Sequence, residues 1–342
     1  MFVDNFIPAM ATMASLSGLA LAVENFKPTV KPMAFDMYGM DKDLRLHMPP
    51  MSISDIKVES WIPGKIPYTC FNGEGLKGTF AMTTINPWEF HVFNVTFKDC
   101  DRSWVVCRHY NAGASELEVV KGISAMPVGI REAVSVFTAV PLNMPGGVAA
   151  WVHDGDTMVV QDPVYWSSPY LLMHEATHAL DWTTLSPAPF DRFWSYGDEW
   201  RAAVDSDGVV PSVYAANAAG PDQFNLREDF AEVGGIALYD LNVPGGIGAF
   251  HKNASAISAQ LALYKKVVGE ARIVKGGRCS AAKAHVRRIV DIAGFRDEDV
   301  VGEADASRMA AHDLMAPPIE PLFSSSSSQL SLNGAGVARD AL

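Results

Sequence analysis

Residues 171–182 read "LLMHEATHALDW", which sets His174 and His178 four apart with Glu175 directly after the first. On a helix, positions i and i+4 share one face, so two imidazole nitrogens can reach a single ion. Glu175 stands about 100° around the helix from His174. From there it can take a proton from a metal-activated water without competing as a ligand. A catalytic zinc takes three protein ligands and keeps a fourth position open. The chain must therefore supply one more donor.

The best source is "NLREDFAEVGGIALYDL", a second helical pattern in which Glu228 and Glu232 are spaced i, i+4 on the stripe of Ala231 and Gly235. Small residues on that stripe let two helices approach closely. Glu228 is then expected as the third ligand, with Glu232 orienting a histidine from behind. Glu199 in "GDEW" is the rival. An extended motif with Gly at 181 and His at 184 is excluded, because these positions are Asp181 and Thr184. Asp181 either accepts a hydrogen bond from a group of the site or ends the helix. Tyr214 in "PSVYAANAAGPDQFN" offers a phenol for the oxyanion that forms on an attacked carbonyl. The expected cofactor is one Zn2+ per chain.

These residues need a frame. "GTFAMTT" and "WEFHVFNVTF" read as strands, and "ASELEVVKGISAM" has helical spacing. "VSVFTAVPL" reads as a strand, and Asp154-Gly155 between two apolar runs predicts a hairpin. One hairpin strand, around Gly147 to Val152, is positioned to hold an extended peptide by edge pairing. The helix "SPYLLMHEATHALDW" follows and stops at "SPAP"; another helix covers roughly 254 to 272.

The expected fold is α+β. A zincin-like catalytic domain over 113–298 would combine a mixed sheet with an edge hairpin, an active-site helix and a glutamate-bearing second helix. Before it come a signal peptide (1–22) and an amino-terminal β-rich region (23–112). A disordered, Ser-rich tail (299–342) closes the chain.

With 342 residues, 49% of them hydrophobic, the chain can bury a large core. A formal net charge of −12 speaks against a nucleic-acid partner. "FIPAMATMASLSGLALA" is uncharged and ends in a small-x-small pattern, which predicts secretion with a mature start near Val23. No other stretch is long and apolar enough for stable membrane insertion. Sequons at Asn94 ("NVT") and Asn253 ("NAS") fit export. Cys70, Cys100, Cys107 and Cys279 include no CxxC pair. Two disulfides are expected, in one of three connectivities. Cys100 with Cys107 in "CDRSWVVC", leaving Cys70 with Cys279, is one; buried free thiols are the alternative.

HExxH, a Tyr-bearing loop and "EDFAE" together resemble the glutamate-ligand zincins related to anthrax lethal factor and the Pro-Pro endopeptidases. The resemblance implies His174, His178 and Glu228 as zinc ligands, Glu175 as base and Tyr214 as oxyanion helper. This sequence departs from the pattern in the spacer "AANAAGPDQFN" after Tyr214. Across roughly 60 to 245, "YTCFNG", "VVCRHY", "MPVGIRE" and the HEATH helix are similar to secreted conidiation-specific, metalloprotease-like proteins of filamentous fungi. The function implied is a secreted zinc-dependent metallopeptidase acting on a peptide or protein substrate through a zinc-activated water. The alternative is a secreted surface or cell-wall module that keeps the scaffold with little turnover. Oligomeric state is not legible.

Overall fold

A computed structural model describes residues 31–71, 86–142, 149–153, 155–161, 163–186, 193–217, 226–277, 279 and 289–291. The expected signal peptide (1–22), "GTFAMTT", Asp154, Gly147, most of "SPAP" and the expected carboxy-terminal tail (299–342) lie outside the described residues.

Ten strands and ten α-helices occur among the described residues. The strands are β1 (Lys31–Pro32), β2 (Ile56–Ser60), β3 (Lys65–Pro67), β4 (Phe90–Phe97), β5 (Cys100–His109), β6 (Val136–Ala139), β7 (Ala150–His153), β8 (Thr157–Val160), β9 (Val209–Val210) and β10 (Ile289–Asp291). The helices are α1 (Met37–His47), α2 (Glu116–Ala125), α3 (Val128–Arg131), α4 (Pro169–Ala179), α5 (Asp198–Asp207), α6 (Val213–Asn217), α7 (Leu226–Asn242), α8 (Gly246–Phe250), α9 (Ser258–Val268) and α10 (Glu270–Ile273). The architecture is α+β around an open, mixed, six-stranded sheet in the order β2-β4-β5-β6-β8-β7. Strands β5, β6 and β8 run parallel, while β2, β4 and β7 pair antiparallel. Hairpin β7–β8 therefore ends the sheet with β7 as its edge.

One sheet takes strands from both sides of residue 112, since β5 pairs with β6. The segment before 112, read as β-rich, also carries a helix, α1. Its apolar Met40 and Leu44 are buried, and Asp36 caps it by accepting from the Gly39 amide.

Alternation along the strands builds two cores. Phe93, Val95, Trp104, Val106, Phe137 and Met158 face the helices, with α4 and α7 innermost. Val92, Val105, Cys107, Val136 and Val159 face the other way, under Ile66, Tyr68 and Phe71. Sequence period 2 thus becomes a two-sided sheet. Helix α2 starts with a reciprocal capping box: Ser115 Oγ accepts from the Glu118 amide, and Glu118 accepts from the Ser115 amide.

All four cysteines are paired, as Cys70–Cys107 and Cys100–Cys279. The Cys100–Cys107 option is overturned. Both residues sit on β5, where seven extended residues span about 23 Å, and their odd spacing puts them in opposite cores. Native protein should therefore show no alkylatable thiol, and its non-reduced intact mass should match two disulfides. Four reactive thiols would contradict this arrangement. Because Cys100 and Cys279 are 179 residues apart, replacing that pair by serine should cost about 2–5 kcal/mol in chemical unfolding.

Helices α4 and α7 pack closely because α7 is glycine-bearing where they cross. A Cβ on Gly234 would meet the Thr177 hydroxyl, and one on Gly235 would meet the ring of buried Tyr170. Gly235→Ala should gain about 0.5–1 kcal/mol of helix propensity. Overpacking against a ring that cannot move should cost about 1–3 kcal/mol. Net destabilisation is the expected result in a urea titration; an unchanged midpoint would mean that the helices separate freely.

Candidate metal centre

Helix α4 is fixed before it delivers any chemistry. Ser168 caps it by accepting from the Leu171 amide, and Pro169 occupies its first turn. Asp41 of α1 reaches across to this end, accepting from Ser168 Oγ at 2.8 Å and from the Tyr170 amide at 3.3 Å. At the other end, Leu180–Leu185 widens into a π-type turn, a local irregularity that often accompanies functional sites. Thr177 faces away from the site, donating to the Met173 carbonyl and bonding Tyr264 Oη.

His174 and His178 present their rings nearly at right angles, 87° apart with centroids at 4.9 Å. Glu228, near the start of α7, lies against both: its Oε2 is 3.3 Å from His174 Nε2 and 3.3 Å from His178 Nε2. All three ligand atoms fall within 4.8 Å of one another. Donors about 2.0–2.1 Å from a tetrahedral zinc are about 3.3–3.4 Å apart. The two carboxylate–imidazole separations thus match edges of such a tetrahedron, and two imidazoles with one carboxylate are a common catalytic donor set.

The charge states of His178 and Glu228 suit that set, whereas His174 is held toward its protonated form. Burial pushes the His178 imidazole down to about 4, so it is neutral near pH 7. Burial opposes ionisation of Glu228, yet His178, His174 and Arg227 outweigh it and hold the carboxyl well below its usual range. Burial also disfavours a charged His174, but the hydrogen bond to Glu228 and the carboxylates of Glu175, Glu228 and Glu232 raise its pKa overall. A metal ion would compete with that proton for the same lone pair.

Glu175 is buried beside the pair, and desolvation lifts its carboxyl to about 7. Tyr214, on α6, donates to Glu228 Oε2 at 3.1 Å and sets its ring 6.2 Å from that of His174. Burial, followed by Glu228 and Glu175, keeps its phenol protonated well above the usual range. It remains a donor.

Two other expected residues have different partners. Glu232 Oε1 accepts from Ser212 Oγ at 2.6 Å, while Oε2 has no partner among the described residues. It thus anchors the segment leading into α6 rather than bonding a histidine. Asp181 does not end the helix, which continues through the π-type turn. It accepts from the Ser195 amide and hydroxyl at 2.8 and 2.6 Å, and burial raises its carboxyl to about 7 against those bonds. The rival ligand Glu199 is exposed on α5, apart from the cluster.

Arg227 is the site residue that sequence reasoning missed. Its Nη2 donates to Glu228 Oε1 at 3.1 Å, and its guanidinium lies 5.0 Å from the centre of the Phe193 ring. Holding one oxygen of Glu228 leaves the other turned to the histidines. The available signal was a basic residue immediately before a buried glutamate in "LREDFAE".

A family model described as conidiation-specific protein Con-13 matches residues 45–293, a span that contains every residue of this site. The chain belongs to the Con-13 family. Con-13 membership is accompanied by a distant relative, "Conidiation-specific protein 13" of Neurospora crassa. It is 23% identical over 213 residues, covering 62% of this chain and 56% of the relative. The chain thus spans little more than half of that relative's length. No solved structure matches it. Among the described residues, no helix is long and apolar enough to cross a membrane.

Proposed function

We propose that this Con-13 family member is an exported zinc-dependent metallopeptidase of the zincin type, with one Zn2+ held by His174, His178 and Glu228. The observation that carries the reading is the clustering of three ligand atoms, with Glu228 Oε2 3.3 Å from both histidine nitrogens and a buried carboxyl one residue from the first ligand. Zinc would supply Lewis acidity there, lowering the pKa of water and polarising a carbonyl. Glu175, with a carboxyl near 7, accepts the proton of the attacking water and later returns it to the departing amine. Tyr214 turns its hydroxyl from Glu228 to the oxyanion of the peptide carbonyl. Arg227 keeps Glu228 ionised and aimed. Edge strand β7, beside α4, holds the substrate backbone in extended form. Two disulfides support an oxidising, extracellular destination.

The test is digestion of a diverse peptide library by the exported protein, with metal content measured in parallel. Zinc-loaded protein that cuts nothing would favour a binding module on the same scaffold. Tyr214→Phe should slow cleavage about 10- to 1000-fold, because it removes one oxyanion donor and leaves the ligands in place. A rate equal to wild type would remove Tyr214 from the chemistry.

A further inference from the structure

The two sequons occupy opposite kinds of surface. Asn253 is exposed in a turn, its carbonyl accepting from the Ala256 amide at 2.9 Å. Ser255, the hydroxyl residue the sequon needs, is exposed as well, and Ala254 between them is buried as an anchor. Asn94 lies within β4, paired to β2 on one side and β5 on the other. Its Oδ1 accepts from Trp61 Nε1 at 2.9 Å, and its sequon threonine, Thr96, is bonded to Ser103 Oγ at 2.7 Å. The Asn94 side chain is half-buried beneath an indole that packs on the second core.

We propose that Asn253 carries an N-linked oligosaccharide and that Asn94 does not. The inference rests on the export reading above, since only a chain crossing the secretory membrane meets the donor. That donor is a lipid-linked oligosaccharide diphosphate. The side-chain nitrogen of Asn253 forms a bond to C1 of the reducing-end sugar as the bond from C1 to the phosphate oxygen breaks. The lipid diphosphate leaves with that electron pair, and the amide loses one proton. At Asn253 the added sugars project into solvent. At Asn94 they would have to displace Trp61 from the sheet, so a chain modified there loses that packing.

The experiment uses the full chain produced in a glycosylating eukaryotic host and recovered from both medium and cells. Enzymatic release of N-glycans in heavy-oxygen water converts each formerly modified asparagine to a labelled aspartate, which peptide mapping locates. The label is expected at 253 and not at 94. Asn253→Gln and Ser255→Ala should each abolish the glycan mass, whereas Asn94→Gln should leave it unchanged. Exported protein without label at 253, or with label at 94, overturns this proposal and leaves export standing. Chain found only inside cells and unlabelled overturns both.

Discussion

Replacing Glu175 by glutamine should leave zinc content unchanged and slow peptide cleavage by about 10²- to 10⁴-fold. The amide is nearly isosteric with the carboxyl, so α4, its cap at Ser168 and both histidines keep their places. What disappears is the acceptor for the proton of the attacking water. Burial sets the Glu175 carboxyl near 7, where a group both takes and returns a proton near neutral pH. Steady-state cleavage of one library-derived peptide, with elemental analysis of each preparation, measures the effect. Cleavage as fast as wild type would trace the activity to a contaminant or another site and end the mechanism.

Glu228→Ala should take zinc from about one ion per chain toward none, while Glu199→Ala should change nothing. Removing a ligand costs more affinity than the roughly 10- to 100-fold seen when only a supporting partner is lost. Glu228 is within 3.3 Å of both histidine nitrogens, and Glu199 is exposed on another helix. Chelator competition gives the affinities. Glu228→Gln, which preserves volume and one acceptor toward Arg227, separates loss of the ligand from loss of the fold. Metal stripped by Glu199→Ala but retained by Glu228→Ala would reassign the third ligand.

Local pattern made part of this legible. The i, i+4 histidines, Glu228 and Glu232 on a small-residue stripe, and the Asp154-Gly155 hairpin each sit within one element, where sequence spacing translates directly into geometry. The six-stranded sheet shows how far that reached: the edge hairpin was readable, but the pairing of β5 with β6 across residue 112 was not. Helix α1 had its signals, an Asp36 cap and apolar residues at 37, 40 and 44, but they lay among prolines and glycines that read as strand and turn. Disulfide partners were beyond reach because Cys100 meets Cys279 only through tertiary folding. Asp41 meets Ser168 across 127 positions, and no periodicity encodes such a meeting.

That last contact bears on maturation. Asp41 fastens the start of the HExxH helix, and β1, ten residues earlier, pairs with β9 just ahead of the helix that carries Tyr214. The first described segment is therefore tied both to the start of α4 and to the strand before α6. A cut that released residues up to about 47 would remove the anchors of α4 and of the strand before Tyr214 together, so on the proposed reading it should inactivate the protein rather than switch it on. On the proposed metallopeptidase reading, an activating cut between Lys31 and His47 is therefore not expected, and this segment should stay with the mature chain.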